Sequence, residues 1–152
     1  MNEYMKNAIE EAEIGIKNHH GGPFGAVIVK DGQIIASDHN RVLINADPTC
    51  HGEIAAIRTA CDILDTHDLK GCIMYTTGEP CHMCLCAAMW ANIDRIYYGC
   101  TLKDNENIGF RDDKFDKIFG GREKLRDYLI CINREECLKL FEEYESMDNE
   151  LY

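Results

Sequence analysis

The chain has no apolar run near the ~20 residues that a membrane-spanning helix needs. Its first residues, Met1-Asn2-Glu3-Tyr4-Met5-Lys6, carry an acid early and lack the apolar core of a secretory signal. A cytoplasmic protein with reduced thiols is therefore expected. There is no surplus of positive charge: the formal net charge is −11. Nucleic-acid binders usually present a basic face, because phosphate contacts supply much of their affinity. The densest basic stretch, Arg122 to Arg126, is broken by Glu123 and reads as a solvated helix face. Neither a nucleic acid nor a membrane is expected as a partner. Internal repeats and low-complexity stretches are also lacking. A disulfide framework is disfavoured by an odd number of cysteines, nine, at irregular spacings.

What remains is an ordinary globular composition. Hydrophobic residues make up 45% and charged residues 28%, which argues against disorder. A length of 152 residues fits a single domain, residues 1–152. A domain of that size buries roughly 68–70% of its unfolded surface and needs no disulfide staples. Most of the cysteines are then small buried apolar residues. The exceptions are those close enough together for metal or redox chemistry.

Periodicity divides the chain into alternating elements. Met5, Ile9, Ala12 and Ile16 recur at helical spacing within residues 2–18. His19-His20-Gly21-Gly22-Pro23 then ends the helix. Adjacent histidines point in different directions, so these two read as a solvated loop rather than a metal pair. Ala26 to Val29 and Gln33 to Ala36 are β-type runs joined by Asp31-Gly32, a hairpin signal. Residues 51–65 read as a helix, Ile73 to Thr77 as a strand, and Pro80 onward as a second buried helix with proline in its first turn. Arg95 to Gly99 is a further strand. Residues 103–121 read as loop and short helix, and Glu135 to Tyr144 as a closing helix. Trp90 reads as a helix residue packed against the sheet. Helix-joined strands can run parallel in one sheet covered on both faces. The expected fold is a three-layer α/β/α sandwich with a mixed, roughly five-stranded sheet.

Two short pieces carry the chemistry: His51-Gly52-Glu53 and Pro80-Cys81-His82-Met83-Cys84. Cys81 and Cys84 are three apart, so they share a helical face and can chelate one ion. The positive end of a helix favours their thiolate forms. With His51 they make three ligands, and catalytic zinc sites typically keep the fourth position for water. Zinc lowers the pKa of such a water to about 7. Glu53, two residues after His51, can move protons without being a ligand. A thioredoxin-like dithiol would not require the His-x-Glu piece. A structural zinc site would need a fourth ligand from Cys86, Cys50 or His82. Cys86 faces away from Cys84 on a helix, and Cys50 adjoins His51.

The pairing of His-x-Glu with Pro-Cys-x-x-Cys resembles the zinc-dependent cytidine/deoxycytidylate deaminase superfamily. Within it the chain is most similar to the bacterial guanine deaminases, most strongly over residues 21–112. Gly21-Gly22-Pro23-Phe24-Gly25-Ala26 resembles their loop entering the first strand. Asn45-Ala46-Asp47-Pro48-Thr49 resembles their approach to the zinc histidine. Gly109-Phe110-Arg111-Asp112-Asp113 resembles their Gly-Phe-Asp-Asp segment, and the terminal Tyr152 matches theirs. The resemblance implies one Zn2+ per chain on His51, Cys81 and Cys84, with Glu53 catalytic. It implies a small purine base as substrate, stacked on Phe24 and hydrogen-bonded by Asn40. The Gly52 N–H, Asp112 (or its neighbour Asp113) and Tyr152 would complete the pocket. It further implies a homodimer that exchanges C-terminal segments, and hydrolysis of guanine to xanthine and ammonia. Gly52 departs from the family, where alanine is usual. The alternatives are deamination of guanosine, cytidine, cytosine, a triazine or tRNA adenosine. A non-catalytic zinc-stabilised binding module, which would have no need of Glu53, is the reading from another class.

Overall fold

The computed structural model of the chain describes residues 1–112 and 127–147. Helix α1 (Glu3–Lys17) begins where the Asn2 side chain accepts a hydrogen bond from the Met5 N–H at 3.0 Å. The first hairpin follows, β1 (Gly25–Lys30) and β2 (Gln33–His39). Lys30 pairs with Gln33, so Asp31 and Gly32 form a two-residue turn. Both have positive φ, 50° and 77°, the conformation that Asp-Gly favours. A short helix α2 (Val42–Asn45) leads into α3 (Gly52–Leu64), then β3 (Cys72–Gly78), α4 (His82–Trp90) and β4 (Arg95–Cys100). The chain continues through α5 (Leu102–Asn107), β5 (Leu129–Cys131) and α6 (Arg134–Ser146).

The sheet order is β2-β1-β3-β4-β5. β1 is antiparallel to both β2 and β3, whereas β3–β4 and β4–β5 are parallel. Alternation along β1 explains the layers. Ala26 and Ile28 join one core with Ala56 and Ala60 of α3 and Leu85 and Ala88 of α4. Val27 and Val29 face the other side, against Met5 and Ala8 of α1 and Cys137 and Phe141 of α6. Two covered faces require strands that are apolar at successive positions, as Ala26 to Val29 are. The mixed five-stranded α/β sandwich expected from the sequence is the observed fold.

Several local expectations change. Pro80 is not in the first turn of a helix: Cys81 holds the N-cap position with an extended backbone, and α4 starts at His82. Trp90 does not pack on the sheet. It is the last residue of α4 and is 85% exposed. His19 is exposed as expected, but His20 is half-buried, stacks on His39 and lies 2.8 Å from its Nε2. His39 in turn meets Glu11 at 3.0 Å. Residues Leu129–Cys131 form the fifth strand, too short at three residues to show a period. The cysteines behave as read: none is in a disulfide, and Cys50, Cys72, Cys100 and Cys137 are buried. The basic stretch Arg122 to Arg126 lies outside the described residues. Among the described residues, no helix is long and apolar enough to cross a membrane.

One end of the sheet gathers the chain segments that matter. The β3 C-terminus, the β1 N-terminus and the β2 C-terminus are neighbours there, through pairs Ala26↔Thr76 and Gly25↔His39. β4 ends beside β3, with Gly78 opposite Cys100. The α5 start is anchored at the same end. Asp104 closes a capping box with Thr101, and its buried carboxylate also forms an ion pair with Arg134 at the start of α6, with Nε at 2.8 Å. Burial opposes its charge, but the Arg134 and Thr101 hydrogen bonds prevail and hold its pKa below the usual carboxylate value. Asp104→Ala should lower unfolding stability by about 2 kcal/mol, as lost caps and charge-assisted bonds do. A depressed folded pKa gives stability that is complete above the unfolded value and is lost as pH falls through the folded one. Denaturation curves should therefore show the gap between parent and variant at pH 7, closing below about pH 4.

Candidate metal and catalytic site

His51 and Cys81 occupy equivalent places. Each is the N-cap of its helix, with φ/ψ of −67°/162° and −63°/171°. Neither makes the side-chain cap hydrogen bond common at that position. Their carbonyls take the first intrahelical bonds, from Ala55 N–H and Leu85 N–H, both at 2.9 Å. The side chains are thereby released toward each other across the α3 and α4 N-termini. Cys84, one turn into α4 and fully buried, completes the set.

His51 Nδ1 lies 3.7 Å from Cys81 Sγ and 3.6 Å from Cys84 Sγ. All three donor atoms fall within 4.8 Å of one another. Zinc–nitrogen and zinc–sulfur bonds at a tetrahedral angle would place such donors about 3.5 Å apart. One nitrogen and two thiolates at this separation fit zinc. Among the described residues no fourth His, Cys, Asp or Glu donor joins the cluster. Cys86 is exposed, and Cys50 accepts from Asn45 Nδ2 instead.

These groups shift one another's proton affinities. Burial disfavours a charged His51, but the hydrogen bond to Cys81 and the charge of Glu53 raise it to about 9. The Cys84 hydrogen bond holds Cys81 down to about 4 against its burial, with His51 assisting. Burial pushes Cys84 well above the usual thiol range. Glu53 is 5% exposed, and its burial raises it to about 7, with the Cys81 charge adding to the effect. A buried carboxyl beside the donor set, and not part of it, is placed to move protons.

A cavity opens beside the donors. His51, Glu53 and Cys81 form its floor, while Phe24, Asn40 and Asp112 line its walls. Six of the nine predicted site residues thus line one cavity, while Cys84 adjoins His51 within the donor set and Gly52 packs against the Phe24 backbone. Phe24 is fixed edge-on to Phe110, with centroids 4.9 Å apart, and to Phe141 at 5.6 Å. Asn40 is 1% exposed. Its Oδ1 accepts from Val42 N–H at 3.1 Å, so it is at once a turn residue and a cavity residue. Tyr152 and Asp113 lie outside the described residues. Sequence reasoning missed Glu79, Asn105 and Phe110, which also line the cavity. Glu79 stands two residues before Cys81, a position that could have drawn attention. Its Oε2 accepts from Leu102 N–H at 2.9 Å and secures the start of α5.

Gly52 has a steric reason here. A Cβ at this position would sit 2.6 Å from the Phe24 carbonyl oxygen and 3.4 Å from Asn40 N. The backbone carrying Phe24 and Asn40 therefore lies closer to α3 than a side chain would allow.

Residues 1–100 match the model of the cytidine and deoxycytidylate deaminase zinc-binding region. The guanine deaminase of Bacillus subtilis is 47% identical over 112 residues, covering 74% of this chain and 71% of that protein. The tRNA-specific adenosine deaminase of Aquifex aeolicus is 38% identical over 105 residues, 69% of each chain. The X-ray structure of the B. subtilis guanine deaminase superposes with a TM-score of 0.74 at 39% identity, covering 100% of this chain and 99% of that one.

Gly52→Ala tests the close approach. Alanine is the better helix former by about 1 kcal/mol, yet the variant should be destabilised by about 1–3 kcal/mol, as overpacked sites are. Thermal melting reads the sign. A stabilised variant would mean that the Phe24 strand yields freely.

Proposed function

The chain belongs to the cytidine and deoxycytidylate deaminase family of zinc-dependent hydrolases, and from that premise we propose that it hydrolyses guanine to xanthine and ammonia. The observation that carries the reading is the three-donor cluster with buried Glu53 beside it, in a cavity lined by Phe24 and Asp112. In this account His51, Cys81 and Cys84 hold the metal. Zinc held there would supply a Lewis acid that lowers the pKa of a water molecule.

The side chains do the rest. Phe24 presents a ring against which a purine packs, by offset stacking or edge to face. Asn40 Oδ1 is engaged by Val42, which leaves its Nδ2 to donate to the ring. The N–H groups at the α3 and α4 N-termini, around Gly52 and Cys81, orient the substrate and stabilise developing negative charge. Glu53 takes the proton of the attacking water and delivers it to a ring nitrogen. It then takes the remaining hydroxyl proton of the tetrahedral adduct and passes it to the departing amine, as the C–N bond breaks and the carbonyl forms. Asp112 receives the exocyclic amine. By the same reading the active protein is a homodimer, with the C-terminal segment and Tyr152 closing the partner's cavity.

The second reading is deamination of adenosine in tRNA, which the A. aeolicus relative's activity favours. The net charge of −11 counts against it, because tRNA binding draws its affinity from basic side chains.

Ammonia release across guanine, guanosine, adenine, cytosine, cytidine and a tRNA anticodon stem-loop separates the readings. Guanine should be the best substrate. Release from cytidine or the RNA but not from guanine would overturn the assignment. Glu53→Gln should retain about one zinc per chain and lose at least 10²-fold in kcat, the lower end for a positioned acid–base group. Near-normal turnover in that variant would remove Glu53 from proton transfer.

A further inference from the structure

One buried polar group on the cavity wall has no part in the reaction as described. Asn105 lies on α5, is 1% exposed and lines the cavity with Glu53, Phe24 and Asp112. Its Nδ2 is directed at two acceptors, Asp112 Oδ2 at 3.2 Å and the Glu79 carbonyl at 3.5 Å. Those acceptors fix the orientation of the amide, because a flipped group would set oxygen against oxygen. The Asn105 Oδ1 then has no hydrogen-bond partner among the described residues. An acceptor buried without a partner is costly, and native structures rarely keep one without a use.

Its position suggests the use. Oδ1 stands 3.2 Å, and the edge of the Phe24 ring 3.0 Å, from the place a side-chain carbon on Gly78 would take. The missing side chain of Gly78 lets the acceptor and the aromatic ring, each on a residue that lines the cavity, come together over the β3 backbone. A flat heterocycle lying against Phe24 brings its edge N–H groups within reach of an acceptor there.

We infer that Asn105 is a base-recognition residue: its Oδ1 accepts a hydrogen bond from a ring N–H of the bound purine while its Nδ2 holds Asp112 in place. The inference rests on the guanine reading. It gives the site a preference for bases that carry a free N–H at that edge. Sites built around a substrate hydrogen bond reject analogues that lack it far more strongly than apolar sites reject a changed contour.

The test is a residue-by-substrate cycle. Parent and Asn105→Ala are assayed for ammonia release from guanine and from 1-methyl-, 7-methyl- and 9-methylguanine, each methyl removing or blocking one edge. Alanine favours the helix at this position. Zinc content and melting temperature show that each variant is folded, and Asn105→Ser replaces Asn105→Ala if the latter is not. In the parent, one methyl isomer should lose at least 100-fold in kcat/KM relative to guanine. Asn105→Ala should lose at least tenfold on guanine, mainly in KM, and less than threefold on that isomer. Equal losses on all four substrates would assign Asn105 a purely structural role and overturn the inference. So would an unchanged guanine KM, or a parent indifferent to all three methyl groups. A parent that ignores guanine but deaminates another base sinks the substrate assignment alone. The same cycle on that base and its N-methyl derivatives then decides Asn105.

Discussion

The structure depends on two helix starts meeting at one end of a sheet. His51 and Cys81 are N-caps whose side chains forgo capping and turn toward each other, and Cys84 follows one turn later. Neither helix can move without separating the donors. α3 and α4 share the apolar core on one sheet face through Ala56, Ala60, Leu85 and Ala88. The positive ends of both helices also point at the same place, which favours thiolates and developing negative charge alike.

The cavity is built outward from that point by the order of the strands. Because β1 runs antiparallel to β3, its first residues lie beside the β3 C-terminus, and Phe24 reaches the metal donors from a distant part of the chain. Thr77 Oγ1 ties this entrance down by donating to the Pro23 carbonyl at 3.0 Å. Because β4 is parallel to β3, α5 begins at the same end and brings Asn105 onto the wall. Gly52 and Gly78 each leave out a side chain where two segments crowd together, so the wall is held at backbone distance from the metal donors.

Most of this was legible where local chemistry is strong. The His-x-Glu and Cys-x-x-Cys pieces declare a metal site by residue type and spacing alone. Asp31-Gly32 declares its hairpin because few other pairs accept two positive φ angles. The β5 strand was not legible, since three residues carry no period and its partner, β4, is more than twenty-five positions away in sequence. Trp90 was misread because its position on α4 depends on where the helix ends, and helix ends are weakly marked. His20 was misread because its partner His39 lies on another element and only the folded hairpin brings them together. Asn105 was invisible for a related reason. An asparagine in a short polar helix looks like any solvated residue until the sheet places it at a cavity.

The central claim is that three protein donors hold the zinc and leave one position to solvent or substrate. X-ray absorption at the zinc edge of the purified holoprotein tests it most directly. The account predicts a first shell of two sulfurs at about 2.3 Å and two lighter atoms, one of them from His51, at about 2.0 Å. A shell of three or four sulfurs, or one closed by protein ligands alone, would contradict it.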